Sequence, residues 1–254
     1  MLRLKHQLVS TQNWVTIRIT VFGFKRKSSN VKLVRLGSDY GGWWIPSALI
    51  SNTQLERIAI SAGLGFDVSF DQKLLEAGFD VIGLDPLADC VAYANSNLRD
   101  FKGFTSIEKG LWKTTGIQSF FPPKNLNHDS WSATNIQNSS ELMTKIFAVI
   151  SLVDLFDLYP KLKNCDCRIL KMDIEGAELD VMKSVARFEY KFDFVAIEID
   201  FLSLIPFINF GQRIRMIKEA RAALRNFHSS GYQLVEYENF NFFWVSNESE
   251  IRSR

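Results

Sequence analysis

Apolar and polar positions alternate from residue 58 onward in blocks that predict strands and helices by turns. Residues 58–61 form a short apolar run ending at Ala62-Gly63-Leu64-Gly65, and Phe70, Leu74, Leu75 and Phe79 then recur at helical spacing, with Ser69 placed as N-cap and Gly78 as the stop. A second apolar run, 81–84, ends in Asp85-Pro86, and Val91, Ala94, Leu98 and Phe101 mark a second helix. Residues 104–108 read as a third strand, with Gly110-Leu111-Trp112 leaving it. This βαβαβ order is the first half of a doubly wound parallel sheet. The pattern weakens over 113–144, a polar stretch with Pro122-Pro123, whose length marks it as either functional or disordered.

Beyond that stretch, 149–159 predicts a short helix and 168–173 a fourth strand, followed by a helix with Leu179, Val181, Met182 and Val185 on its apolar face. Residues 194–200 give a fifth strand, 214–227 a helix, and 232–237 with 242–245 two strands whose short link forces an antiparallel pair. The expected fold class is therefore α/β, a mostly parallel seven-stranded sheet closed by a C-terminal antiparallel hairpin. Ahead of it, residues 14–22 alternate basic and apolar groups and predict a strand or irregular arm rather than a helix. Val34 to Pro46, with Gly41-Gly42 beside Tyr40, Trp43 and Trp44, reads equally as an aromatic flap over a ligand and as a corner held by buried tryptophans.

Composition adds little to the fold but changes the view of the N-terminus. The chain has 254 residues, 46% hydrophobic and 23% charged, enough for one domain with a full core, and its formal net charge is +2. Residues 1–38 nevertheless hold eight Lys or Arg and no Asp or Glu, which leaves the remainder acidic. We divide the chain into a basic arm, 1–32, and a domain, 33–254. The arm either attracts an anionic membrane surface weakly or simply packs on the domain. Nucleic acid is not expected, because the body is acidic and carries no nucleic-acid module. Cys90, Cys165 and Cys167 lack metal-site spacing and read as reduced thiols of a cytoplasmic protein, and no apolar run reaches membrane-spanning length.

The chemistry concentrates at strand ends. Gly63 and Gly65 let a ligand lie against bare main chain, and Asp85, 22 residues beyond Gly63 at the tip of the neighbouring strand, is placed to accept hydrogen bonds from ribose hydroxyls. Two cofactors fit this unit, S-adenosylmethionine and a nicotinamide dinucleotide. In the pattern Gly63-x-Gly65-x-Asp67 an acid stands near where a diphosphate would sit, which suits the ammonium of an amino-acid tail better. Asp173 and Glu175 leave the fourth strand, next to the first, at the point where strand order reverses. His128, in the polar stretch, is a candidate general base or an exposed histidine without a role. The acids Asp173, Glu175, Glu198 and Asp200 offer an alternative as oxygen ligands for a divalent cation, although we assign no metal.

The string Leu170-Lys171-Met172-Asp173-Ile174-Glu175-Gly176-Ala177-Glu178 resembles the most recognisable motif of FkbM-type methyltransferases, and likeness extends from residue 33 to 246. The resemblance implies a Rossmann-like class I methyltransferase fold and methyl transfer from S-adenosylmethionine, usually to oxygen, often on a sugar or another small-molecule or glycolipid hydroxyl. Carried over, Gly63, Gly65 and Asp85 match cofactor positions, and Asp173 and Glu175 the acids of the active crevice; Asp67 and Pro86 are assigned to the cofactor site beside them, although the Asp67 turn departs from the family's three-glycine form. Some relatives have histidine after the strand-five Ile-Glu, where this chain has Asp200, so no base is carried over at that position. The rival readings are a catalytically silent nucleoside-binding scaffold and an NAD(P)-dependent reductase.

Overall fold

The computed structural model describes residues 15–24, 31–51, 54–122, 131–132, 144–199, 202 and 209–249. Its centre is a seven-stranded sheet in the order β11-β12-β10-β9-β3-β4-β5. The five middle-to-edge strands β3 (Arg57–Ala62), β4 (Asp80–Leu84), β5 (Phe104–Ile107), β9 (Cys167–Met172) and β10 (Phe194–Glu198) are mutually parallel, whereas β12 (Asn241–Ser246) is antiparallel to β10 and to β11 (Tyr232–Glu238). β3 and β9 are neighbours, so strand order reverses between β3 and β9 and opens a crevice at their carboxyl ends.

The period-2 alternation of each strand serves two layers. On one face Ile58, Ile60, Leu170, Met172, Val195 and Ile197 pack with α5 (Leu152–Leu158), α7 (Glu178–Arg187) and α8 (Phe210–Ser229). On the other, Ala59, Ile169, Phe194 and Ala196 pack with α3 (Ser69–Glu76), α4 (Ala88–Leu98) and the hairpin of β1 (Leu33–Leu36) and β2 (Trp43–Pro46). Lys171 shares the face of Ile169, so its side chain enters the layer beneath that hairpin. The hairpin is followed by α2 (Ser47–Ser51). Trp43 is buried edge-on to Phe243, and Trp44 donates to Glu238 Oε2 at 3.0 Å, so both tryptophans form the corner that fastens the hairpin to the sheet. Tyr40, at the hairpin tip, is 93% exposed.

Several expectations are corrected. Residues 15–21 form a helix, α1, not a strand. The β-branched residues there suggested extension, but Thr16, Ile17, Thr20, Val21 and then Phe24 are buried together, a helical spacing, and Ile17, Val21 and Phe24 join the main core. Arg221 of α8 donates to the carbonyls of Ile19, Thr20 and Phe22, supplying partners that the end of α1 lacks. The polar stretch contains β7 (Gly116–Phe120), which with β6 (Gly110–Leu111) and β8 (Lys145–Ile150) makes a small three-stranded sheet in the order β6-β8-β7. Val149 and Ile150 therefore end a strand, and α5 starts after Ser151, whose Oγ accepts from the Asp154 N–H. A further short helix, α6 (Lys161–Asn164), leads into β9. Ser69 is not a cap but the first residue of α3, and its N–H is bound by Asp67 Oδ1 at 3.0 Å.

The three cysteines are buried and form no disulfide, and no helix among the described residues is long and apolar enough to cross a membrane.

Candidate active site

β3 ends in a turn that only glycine can make at its first position. Gly63 has φ +81°, and a Cβ built on it would stand 1.8 Å from the carbonyl oxygen of Asp173. The ladder brings the two this close, because Asp173 N–H donates to Ala62 O at 3.0 Å and Gly63 N–H to Leu84 O at 2.8 Å, pinning the exits of β3, β4 and β9 together. Asp85 closes the arrangement from the β4 side. Its Oδ2 accepts from the N–H groups of Leu64 and Gly65 at 2.9 and 3.1 Å, and its Oδ1 from Leu87 at 2.9 Å. Burial pushes the Asp85 carboxyl up, and the three N–H donors with the charge of Lys171 work against that shift. Asp85 thus shapes the glycine turn as well as facing the crevice.

Asp67 is committed to the hairpin. Its Oδ2 accepts from Ser38 Oγ at 2.5 Å and from Gly41 N–H at 3.1 Å, and a Cβ at Gly41 would meet the Asp67 Cγ at 2.6 Å. Burial works to raise its pKa, but the hydrogen bonds from Ser38, Ser69 and Gly41 together hold it below the usual carboxylate range. A carboxylate therefore already occupies the first free N–H of α3, the place where a dinucleotide's diphosphate would bind.

Lys171, quoted in the motif but given no role from sequence, is the buried cation of the site. Its Nζ donates to the Gly63 carbonyl, lies 3.7 Å from Asp173 Oδ2 and stands 5.4 Å from the Trp43 ring centroid. Beneath it Asp71 is fully enclosed with Oδ1 unpartnered, its carboxyl pushed up by burial against the pull of Lys171 and Ser61. A charged residue inside the apolar run Ile169-Leu170-Lys171-Met172 was the signal that could have found it.

Past Asp173 the chain turns through two left-handed residues, Glu175 at φ +48° and Gly176 at φ +89°. For a non-glycine residue that conformation costs roughly 1 to 2 kcal/mol and persists where neighbours hold it. Here Ser132 Oγ donates to Glu175 O at 2.6 Å, and Gly176 N–H donates to Glu178 Oε1 at 2.7 Å. Glu178 is wholly buried with Oε2 unpartnered, and burial, reinforced by the charges of Glu175 and Asp173, pushes its carboxyl up to about 8. The folded chain keeps a proton there that the unfolded chain, with an ordinary value of 4.5, releases. Stability contributed by Glu178 is accordingly lost as pH rises from about 4.5 to about 8 and is level above that window. Glu178→Gln keeps the shape and the acceptor for Gly176. Thermal unfolding measured across this pH range should show a flatter profile for the variant than for the wild type, and parallel profiles would mean that Glu178 does not hold the proton.

Two adjoining lobes meet over these residues. One is lined by Tyr40, Gly41, Trp43, Gly63 to Asp67, Lys171 and Asp173; the other by Asp85, Pro86, Leu87, Gly110, Leu111, Phe120, Trp131, Ile174 and Ala177. Gly63, Asp85, Asp173 and Glu175 line both. The structure thus gathers Gly63, Gly65, Asp67, Asp85, Pro86, Asp173 and Glu175 around one crevice. The aromatic wall of Phe120 and Trp131, contributed by the small sheet and the residues bridged to it, was not foreseen. His128 and Asp200 lie outside the described residues. Glu198 lines neither lobe, and among the described residues no three acidic, histidine or cysteine side chains gather to hold a metal ion.

A family model, the methyltransferase FkbM domain, matches residues 60–234. The chain belongs to the FkbM methyltransferase family. The match spans the glycine turn, Asp85, the insertion and the Lys171–Glu178 motif, while α1 and the β1–β2 hairpin, whose Tyr40, Gly41 and Trp43 line one lobe of the crevice, precede it. No curated protein matches the chain in sequence. Among solved structures it is similar to precorrin-6y C5,15-methyltransferase from Geobacter metallireducens at 11% identity, covering 79% of this chain and 85% of that one with a TM-score of 0.34. It is also similar to a TehB-like SAM-dependent methyltransferase from Corynebacterium glutamicum at 12%, covering 78% and 84% with a TM-score of 0.32. The fibrillarin pre-rRNA processing protein of Methanococcus jannaschii gives 9%, 87% and 85%, with a TM-score of 0.36. Overlap at that level adds nothing to the sheet order of this FkbM domain, which carries the fold.

Proposed function

We propose that this FkbM domain transfers a methyl group from S-adenosylmethionine to a hydroxyl of a sugar or another small-molecule or glycolipid acceptor. The observation that carries the reading is the meeting of Gly63, Asp85, Asp173 and Glu175 at the junction of the two lobes. The residues present fit the cofactor: Gly63 lines both lobes with bare main chain, Asp85 faces the crevice from the tip of β4, and the lining acids Asp67, Asp85, Asp173 and Glu175 outnumber Lys171, the one cation among the described lining residues, which favours a ligand of net positive charge. Bound there, S-adenosylmethionine supplies a methyl group already activated by its sulfonium. The chain then has to position a hydroxyl and take its proton.

Asp173 is the residue for the proton. It is partly exposed at the strand exit and lines both lobes, and Lys171 at 3.7 Å fixes its direction. Glu175, held in its left-handed turn by Ser132, faces the same junction and helps to orient the acceptor. The aromatic wall of Phe120 and Trp131 gives a face against which a ring or apolar acceptor excludes water. The reductase alternative is disfavoured by Asp67, which fills the diphosphate position.

Calorimetry and thermal shift with S-adenosylmethionine, S-adenosylhomocysteine and NAD(P) test the cofactor, and turnover with hydroxyl acceptors separates an enzyme from a silent scaffold. Preference for NAD(P), or tight cofactor binding with no transfer to any hydroxyl acceptor, counts against the reading. Asp85→Ala provides a sharper check. Hydrogen bonds to a charged group are worth about 1.5 to 3 kcal/mol, so affinity for S-adenosylmethionine should fall roughly ten- to a hundredfold. Because Asp85 also holds three backbone N–H groups, the variant should unfold at a lower temperature. Unchanged affinity would place the nucleoside elsewhere.

A further inference from the structure

We propose that the outward face of α1 is a docking surface for an anionic lipid bilayer. The inward face is already satisfied: Thr16, Ile17, Thr20 and Val21 are buried, Phe24 packs edge-on to His228, and Arg221 fixes the end of the helix through its carbonyls. The opposite face carries Val15, Ile19 and Phe22 at i, i+4 and i+7, with exposures of 42%, 48% and 77%, and exposed Arg18 beside them. Single exposed apolar residues are ordinary on a protein surface. Val15 and Ile19 on one short helix, with Phe22 in the turn that closes it, all exposed on the side away from the domain, make the arrangement of an interfacial helix.

Charge selects the occupant. Residues 1–38 contain eight Lys or Arg and no acid, with Arg3 and Lys5 ahead of α1 and Lys25-Arg26-Lys27 just behind it. A second copy of this face would bring like charges together, and a nucleic acid would leave the apolar stripe in water. An anionic headgroup layer takes both features at once, the basic residues at its surface and the stripe at the acyl boundary. With so short a stripe, the attachment is reversible and salt-sensitive, since exposed charges are screened within about 10 Å at 0.1 M salt.

The test is sedimentation of the full chain with vesicles of phosphatidylcholine, with and without phosphatidylserine, at low and high salt. The wild type should pellet with the phosphatidylserine vesicles at low salt and be released at high salt. Ile19→Asp with Phe22→Asp should lower the bound fraction about tenfold or more, and the milder Phe22→Ser should lower it less. Thermal unfolding and light scattering of each protein accompany the measurement. Equal pelleting of wild type and variants, or binding indifferent to phosphatidylserine and salt, overturns the proposal. A change of molecular mass in the variants with vesicle binding untouched overturns it as well, because the face would then belong to a second copy of the chain.

Discussion

Gly63→Ala is expected to abolish measurable binding of S-adenosylmethionine and to lower the melting temperature more than other substitutions at left-handed glycines. Two costs combine at this position. Alanine at φ +81° carries the ordinary penalty of a left-handed side chain, roughly 1 to 2 kcal/mol. In addition its Cβ falls 1.8 Å from the Asp173 carbonyl oxygen, a backbone atom held by the ladder between β3 and β9, so one strand exit has to move. Any movement pulls Leu64 and Gly65 away from Asp85 and displaces the carbonyl to which Lys171 donates. Gly231, at φ +100°, is the control, since its added Cβ would meet nothing closer than Asn247 Nδ2 at 4.0 Å. Gly231→Ala should carry the conformational penalty alone and bind cofactor normally. Differential scanning fluorimetry with and without S-adenosylmethionine separates the two variants. If Gly63→Ala binds as tightly as wild type, the bare turn is not where the ligand lies.

The parts of the site that were readable from sequence are those fixed by the chain's own local chemistry. Gly63 and Gly65 interrupt an apolar run, and Asp85 and Asp173 each end one, so a doubly wound sheet brings all four to one edge. Lys171 was visible as a charge inside a strand. Its role depended on which face of β9 it shares, and that followed only once Ile169 was seen to pack under the hairpin. Phe120 and Trp131 reach the crevice through tertiary placement that no local spacing encodes, whereas Tyr40 belongs to the Gly-Gly stretch for which a flap over a ligand was one of two readings. The same limit explains α1. Val15, Thr16, Ile17, Ile19, Thr20 and Val21 have strong strand preference, and only packing against α8, with Arg221 meeting the carbonyls, makes the helix the better state. Within the stretch read as functional or disordered, the strand over 116–120 escaped notice because β7 leaves Ile117 exposed and pairs with a strand whose apolar end, Val149-Ile150, fits a helix equally well.

The second large effect is expected at Asp173. Asp173→Asn preserves shape and removes one charge, so the fold and the affinity for S-adenosylmethionine should survive while methyl transfer falls about a hundredfold or more, as for the loss of a general base. The position makes the separation clean. Asp173 contributes its backbone to the β3–β9 ladder through the N–H to Ala62 and its side chain to the crevice, and asparagine leaves the first untouched. Lys171 retains its bond to the Gly63 carbonyl, so the buried cation does not lose its only partner. Removing a negative charge near Glu178 should also ease ionisation of that buried acid, so that the loss of stability with rising pH ends at a lower pH and is smaller. Transfer rates and thermal unfolding on the same preparations decide the matter. A variant that melts far below wild type would make Asp173 a structural residue of the strand exit. Full-rate transfer would move the proton-accepting role to Glu175, the other acid that faces both lobes.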